Sequence, residues 1–258
     1  MGPRRSEDRA CEDAPMLQRL VDDDVLVLTL DRPDKRNALS VELCQAVRAA
    51  LDDAGGGGRP ARAVVITGAG TTFCAGADLD GVHGDDFLEA HYGMLGAITT
   101  TAVPVIAAVN GPAIGGGTQL AAACDLRVAT PQARFAVPTA RNGLAVDPWT
   151  IRRLAELVGG GHARGILLAA ETLDLSAALA CGLVQREGDV TDAIALAHDL
   201  AALAPLSLAY AKRALNSAHL PDDDPGLRAE FLACFASQDA AEAETARREG
   251  RRPVFHGR

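Results

Sequence analysis

The chain has 258 residues, 48% of them hydrophobic, with a formal net charge of −9 and a sequence pI near 5.1. That length and apolar content suffice for one large core and exclude global disorder. The acidic balance and an aromatic content of 3% argue against nucleic acid as a partner, since both a basic footprint and stacking platforms are lacking.

Residues 1–20 mix Arg4, Arg5 and Arg9 with Glu7, Asp8, Glu12 and Asp13 and hold no apolar h-region, so they read as a mobile N-terminal extension. No apolar run reaches the length of a membrane span. The six cysteines form no C-x-x-C pair and have no histidine at ligand spacing. Neither a metal site nor a disulfide framework is indicated, and a reducing cytoplasm is the expected compartment.

Val25–Leu30 reads as a strand, closed by the turn Asp31-Arg32-Pro33-Asp34, with Lys35, Arg36, Asn37 and Ala38 following on the surface. Ser40 caps a helix over Val41–Ala54 whose Leu43, Val47 and Leu51 share one face, and the glycines at 55–58 form a flexible break. Residues 63–67 are an almost wholly apolar strand, as expected of one covered on both faces. The small residues of 68–79 let backbone come near a ligand and offer an N–H donor. Residues 81–101 show an irregular helical pattern where a lid or pocket wall is expected, and His83 and His91 within them read as surface or packing histidines.

The stretch 107–120 organises the rest. An apolar run through Val109 stops at a turn, and Gly115, Gly116 and Gly117 lead into an alanine-rich helix. Glycines at a helix N-terminus present unpaired N–H groups and the positive end of the helix dipole, a place to hold an oxygen anion. A P-loop fails because Thr118-Gln119 stands where Gly-Lys-Ser/Thr would have to follow, and dinucleotide fingerprints fail at Leu120 and at Phe73. Two short strands are expected in 125–129 and 133–138. Asp147 and Pro148 then read as N-cap and first residue of a helix, and helices dominate from 159 to 248.

The strings Ile66-Thr67-Gly68-Ala69-Gly70 with Phe73-Cys74-Ala75-Gly76-Ala77-Asp78-Leu79, Asn110-Gly111-Pro112-Ala113-Ile114-Gly115-Gly116-Gly117 and Cys124-Asp125-Leu126-Arg127 occur in this order. Together with Arg32-Pro33 before Asn37-Ala38-Leu39, Gly182-Leu183-Val184 and Arg252-Pro253-Val254-Phe255, they resemble the enoyl-CoA hydratase/isomerase (crotonase) family, and the tract from Pro138-Thr139 through Asp147-Pro148 to Leu154 resembles an actinobacterial subgroup of it. The resemblance implies an α/β fold, a spiral of ββα units in residues 21–200, with a helical oligomerisation region in 201–258 that forms a homotrimer or a dimer of trimers. It implies an acyl-CoA thioester as ligand, with no cofactor beyond that CoA. By position, the family's oxyanion hole falls on the N–H groups of Ala77 and Gly116, and Lys35, Arg36, Ala38, Ala75, Asp78 and Leu79 fall where CoA is held.

The same resemblance places the two glutamates of the hydratases at Gln119 and Thr139. An amide gives up no proton at neutral pH and a threonine hydroxyl is no base unaided, so ordinary hydration is expected to be weak or absent. Asp147 stands where dienoyl-CoA isomerase-like members carry a catalytic aspartate. It is equally explained as the cap of the following helix, and from sequence both roles stay open.

Overall fold

The computed structural model describes residues 15–54, 60–78, 85–217 and 224–258. Leu79, His83 and the glycines at 55–58 lie outside the described residues. The described residues open on strands β1 (Leu17–Asp22) and β2 (Val25–Leu30), so residues 17–20, expected in the N-terminal extension, belong to a sheet. They were unreadable as a strand because, among the described residues, β1 pairs only with β2 and leaves most of its side chains exposed. Helix α1 (Val41–Ala54), strand β3 (Ala63–Gly68), helix α2 (Asp85–Thr100) and strand β4 (Val105–Val109) follow.

Next come β5 (Pro112–Ile114), α3 (Gly116–Ala123), β6 (Leu126–Ala129), β7 (Arg134–Ala136), α4 (Pro148–Leu168), β8 (Thr172–Asp174), α5 (Leu175–Ala180) and β9 (Arg186–Glu187). The C-terminal part holds α6 (Val190–Ala201), α7 (Pro205–Asn216), α8 (Pro225–Ala236) and α9 (Gln238–Glu249). The helical stretch expected up to residue 248 is broken at Ser237, which caps α9 through its side chain on Ala240 N–H. Strands β5, β8 and β9 were not anticipated, since two or three residues are too few to show a period.

Six strands form one sheet in the order β1-β2-β3-β4-β6-β9, and β5-β7-β8 form a second. From β2 to β9 the larger sheet is parallel. Its faces split by alternation: Leu26, Leu28, Val64, Ile66 and Ala107 join the large core with α1, α2 and α3. Val25, Val27, Val65, Ile106 and Val128 pack instead with Ala193 and Ala197 of α6. Both faces are therefore covered, which is why residues 63–67 carry no polar side chain but Thr67.

The irregularity expected in 81–101 is absent from the described part, where Phe87, His91, Met94, Leu95 and Ile98 are the buried residues of a regular α2. Their spacing is an ordinary helical stripe once His91 is counted as an interior residue.

Arg127, 1% exposed, ties the end of α3 to the segment before β9. Its guanidinium donates to the carbonyls of Ala121 (3.1 Å), Cys124 (2.7 Å), Asp125 (3.2 Å) and Leu183, and to Gln185 Oε1 (3.2 Å). Burial pulls its pKa down to about 10, leaving it charged at neutral pH. Replacing Arg127 by methionine strands these buried carbonyls. The unfolding free energy is expected to fall by about 3 kcal/mol, read as a lower urea midpoint at fixed protein concentration.

Candidate active site

The site is built where the segment after β3 passes between two other pieces of chain. On one side Leu39 N–H donates to Gly76 O (2.7 Å) and Asp78 N–H to Leu39 O (2.8 Å). On the other, Cys74 N–H donates to Pro112 O (3.1 Å) and Ile114 N–H to Cys74 O (3.0 Å). Parallel pairing uses the groups flanking the paired residue, so the bridge of Leu39 with Ala77 turns the Ala77 N–H away from Leu39.

Gly116 opens α3, where the N–H has no intrahelical acceptor. A Cβ placed on Gly116 would lie 3.6 Å from Ala77 N, so the two donors are neighbours. Neither has a backbone acceptor among the described residues. This closeness depends on glycine: a Cβ on Gly76 would meet Ile114 O at 2.7 Å, and one on Gly117 would meet Cys74 O at 2.1 Å. The thiol of Cys74 behind them is pushed up to about 12 by burial and is no nucleophile.

Ala77 and Gly116 both line a cavity of about 500 Å³. Its lining includes Lys35, Arg36, Ala38, Ala75, Gln119 and Thr139, together with Phe87, His91, Tyr92 and Leu144. The basic turn is held by Asn37, fully buried, whose side chain accepts from Arg32 N–H (2.9 Å) and donates to Ala69 O (2.9 Å) and Thr72 O (2.7 Å). Asp78, expected at the CoA site, also lines the cavity, but its carboxylate takes Arg32 Nη2 at 2.8 Å. Asp34 and Asp78 are the only carboxylates on the wall among the described residues.

Thr139 lies half-buried in a 3₁₀ turn (Pro138–Asn142) and contributes to the wall, whereas Asp147 does not. Asp147 caps α4: its Oδ1 accepts from Trp149 N–H (2.9 Å) and Thr150 N–H (3.1 Å). Its Oδ2 accepts from the Thr150 hydroxyl (2.5 Å) and faces Gln119 Nε2 at 3.4 Å. Gln119, one turn into α3, donates to Thr150 Oγ1 (2.7 Å) and meets His91 Nε2 through its Oε1 at 3.2 Å.

His91 and Thr150 were not among the expected site residues. Thr150 carried no signal, while the signal for His91 was its place on the apolar stripe of α2. His91 is 3% exposed, stacks on Phe87 (centroids 5.6 Å apart, planes at 7°) and meets Tyr92 at 5.2 Å. Burial lowers its pKa, against opposing pulls from Gln119 and the charge of Asp147. Tyr92 is raised, first by burial and then by the Asp147 charge.

This layout of strands, bridges and cavity is that of the crotonase-like α/β proteins, and the chain belongs to the enoyl-CoA hydratase/isomerase family, whose pattern it matches over residues 21–258. It is 46% identical over 239 residues to a Mycobacterium tuberculosis protein named "Probable enoyl-CoA hydratase echA6", covering 90% of this chain and 96% of that one. It is 32% identical over 236 residues to the short-chain-enoyl-CoA hydratase of Clostridium acetobutylicum, covering 86% and 90%. The solved enoyl-CoA hydratase of Mycobacterium tuberculosis H37Rv superposes with a TM-score of 0.84 at 30% identity, covering 95% of this chain and 100% of that one.

A histidine whose folded pKa is depressed binds fewer protons in the folded state than in the unfolded one. Stability is therefore whole above the unfolded pKa and falls as pH drops below it. Wild type is expected to lose stability between pH 7 and pH 5 more steeply than His91→Gln, by at most about 1.4 kcal/mol per pH unit for one group. Denaturant unfolding of both proteins across that range reads the difference.

Proposed function

We propose that this protein binds acyl-CoA thioesters of fatty-acid metabolism and is a weak or inactive hydratase. The Ala77 and Gly116 N–H groups receive the thioester oxygen, and Lys35 and Arg36, with Ala38 and Ala75 beside them, hold the nucleotide phosphates of CoA. The observation that carries this reading is the pair of adjacent unpaired donors on a wall whose Gln119 and Thr139 stand where hydratases have glutamates.

Addition of water to a double bond needs a base on the water and an acid at the α-carbon. Gln119 supplies neither, because its carbonyl is engaged by His91 and its amide nitrogen by Thr150 and Asp147. Thr139 brings only a neutral hydroxyl. Asp147 is a poor candidate for proton transfer, since both of its oxygens are taken and it is off the cavity wall.

The α8 side chains Phe231 (44% exposed), Leu232 (53%) and Phe235 (70%) form an apolar surface that supports a homotrimer or dimer of trimers built through the C-terminal helices. Cys44, Cys74, Cys124, Cys181 and Cys234 are all free, in keeping with a reducing cytoplasm. Among the described residues no single helix is long and apolar enough to cross a membrane.

The binding test is calorimetry with hexanoyl-CoA and with hexanoyl-pantetheine. Reversing the charge at Lys35 and Arg36 is expected to weaken the CoA ligand by at least about tenfold and the pantetheine ligand little, because only the former carries the nucleotide phosphates. Equal losses on both would place the effect in folding.

For catalysis, wild type is expected to hydrate crotonyl-CoA at least about a hundredfold more slowly than a two-glutamate family member. The double variant Gln119→Glu, Thr139→Glu is expected to gain rate over either single variant. Gln119→Glu alone sets a second carboxylate against Asp147, and one of the two then retains a proton. Fast hydration by wild type would remove this account.

A further inference from the structure

The larger sheet ends in two unlike edges. At one, β9 is only Arg186 and Glu187, both charged and exposed, and offers little for another strand to pair with. At the other, β1 pairs with β2 in an unbroken register, from Leu17 with Leu30 to Asp22 with Val25. It carries no proline and no bulge, and among the described residues no strand lies along its outer side.

The polar side chains that would guard this edge are turned to their own chain. Gln18 donates to Asp31 (2.6 Å), Arg19 pairs with Asp53 of α1 (3.0 Å), and Asp22 meets His198 of α6 at 3.1 Å. Between them Leu20 is 60% exposed and Val21 68%, and as neighbours in a strand they stand on opposite faces of the sheet. An open row of backbone donors and acceptors, with an apolar side chain on each face, is a template for a further strand.

The sequence of β1 decides what fits it. In an antiparallel ladder opposed residues turn their N–H and C=O groups the same way, so a strand that pairs with its own copy about a two-fold axis sets one residue opposite itself. Centring on Arg19 opposes two guanidinium groups, and centring on Val21 leaves only residues 20–22 paired. Centring on Leu20 pairs residues 18–22 throughout. Leucine then meets leucine, Gln18 stands opposite Asp22, and the Arg19 stem lies over Val21, on both sides of the axis. The nearest like carboxylates of the two strands, the two Asp22, lie about 14 Å apart, beyond the Debye length of about 8 Å at physiological salt.

We propose that β1 is an interface between two copies of this chain, joined antiparallel with Leu20 opposite Leu20 so that one sheet runs through both. The proposal stands apart from the acyl-CoA reading. Where the C-terminal helices assemble a trimer, this contact joins two trimers; where they do not, it makes a dimer.

The test measures mass by sedimentation, at one protein concentration, for wild type and for Leu20→Lys, which opposes two cations at the axis and alters a side chain that is mostly in solvent. Leu20→Lys is expected to halve the mass, and the halved value shows separately whether the C-terminal trimer forms. An unchanged mass overturns the proposal, whether the edge of wild type then stays open or is taken by another segment.

Two cysteine variants read the register. Opposed residues have Cα atoms about 4.5–5.5 Å apart, within the span of a disulfide, whereas the two Val21 lie about 8 Å apart, outside it. Under mild oxidation Leu20→Cys is expected to form a covalent dimer at least about tenfold faster than Val21→Cys, with wild type as the blank for the native cysteines. Val21→Cys cross-linking as fast as Leu20→Cys, or no covalent dimer of Leu20→Cys above the blank, overturns the register and the proposal with it.

Discussion

The proposed site depends on the segment 74–78 being hydrogen-bonded along both edges at once. Leu39 holds it from one side and residues 112–114 from the other, and this double pairing sets the Ala77 N–H beside the start of α3. Backbones this close leave no room for side chains at the crossings. A Cβ on Gly111 would come within 2.0 Å of Thr71 O, and one on Gly68 within 2.4 Å of Phe73 O. The glycines of the three motifs therefore serve steric contact between segments as much as the ligand.

Behind that backbone frame, Gln119 occupies the centre of a polar cluster rather than the cavity wall alone. It spans from the α2 histidine to the α4 cap, so the residue that would be a free base in a hydratase is here a structural connector. The cap of a helix and the state of a cavity histidine become one network, satisfied apart from a single ring nitrogen. Asp147, which matches a catalytic position of the family by resemblance, serves the fold through its Oδ1, which accepts two backbone N–H groups at the head of α4.

Legibility followed local periodicity. The strand at 25–30, the helix at 41–54 and the cap at Asp147 were readable because apolar alternation, helical spacing and cap chemistry are local properties. The pairing of Ala77 with Gly116 was readable only through the family resemblance, since nothing within either loop shows that the other lies beside it. Strand β1 was missed because its charged and exposed residues carry no alternation to read. His91 reads as a surface or packing histidine from sequence, and its burial against Phe87 is the packing case; its polar partner, Gln119 from 28 residues away, shows only in the fold.

One inward-facing lysine bears on how the protein can be dissected. Lys212 of α7, 6% exposed, donates to Val103 O at 2.8 Å and pairs with Asp125 at 2.7 Å, and Asp125 also accepts Val105 N–H at the head of β4. Arg62, just before β3, likewise donates to Leu203 O and Phe255 O. Cutting the chain near residue 201 to obtain a minimal core would thus leave a partly buried carboxylate without its cation and two strand ends unsupported. The C-terminal helices close the spiral that they follow, and shortened versions for expression or fusion have to keep them.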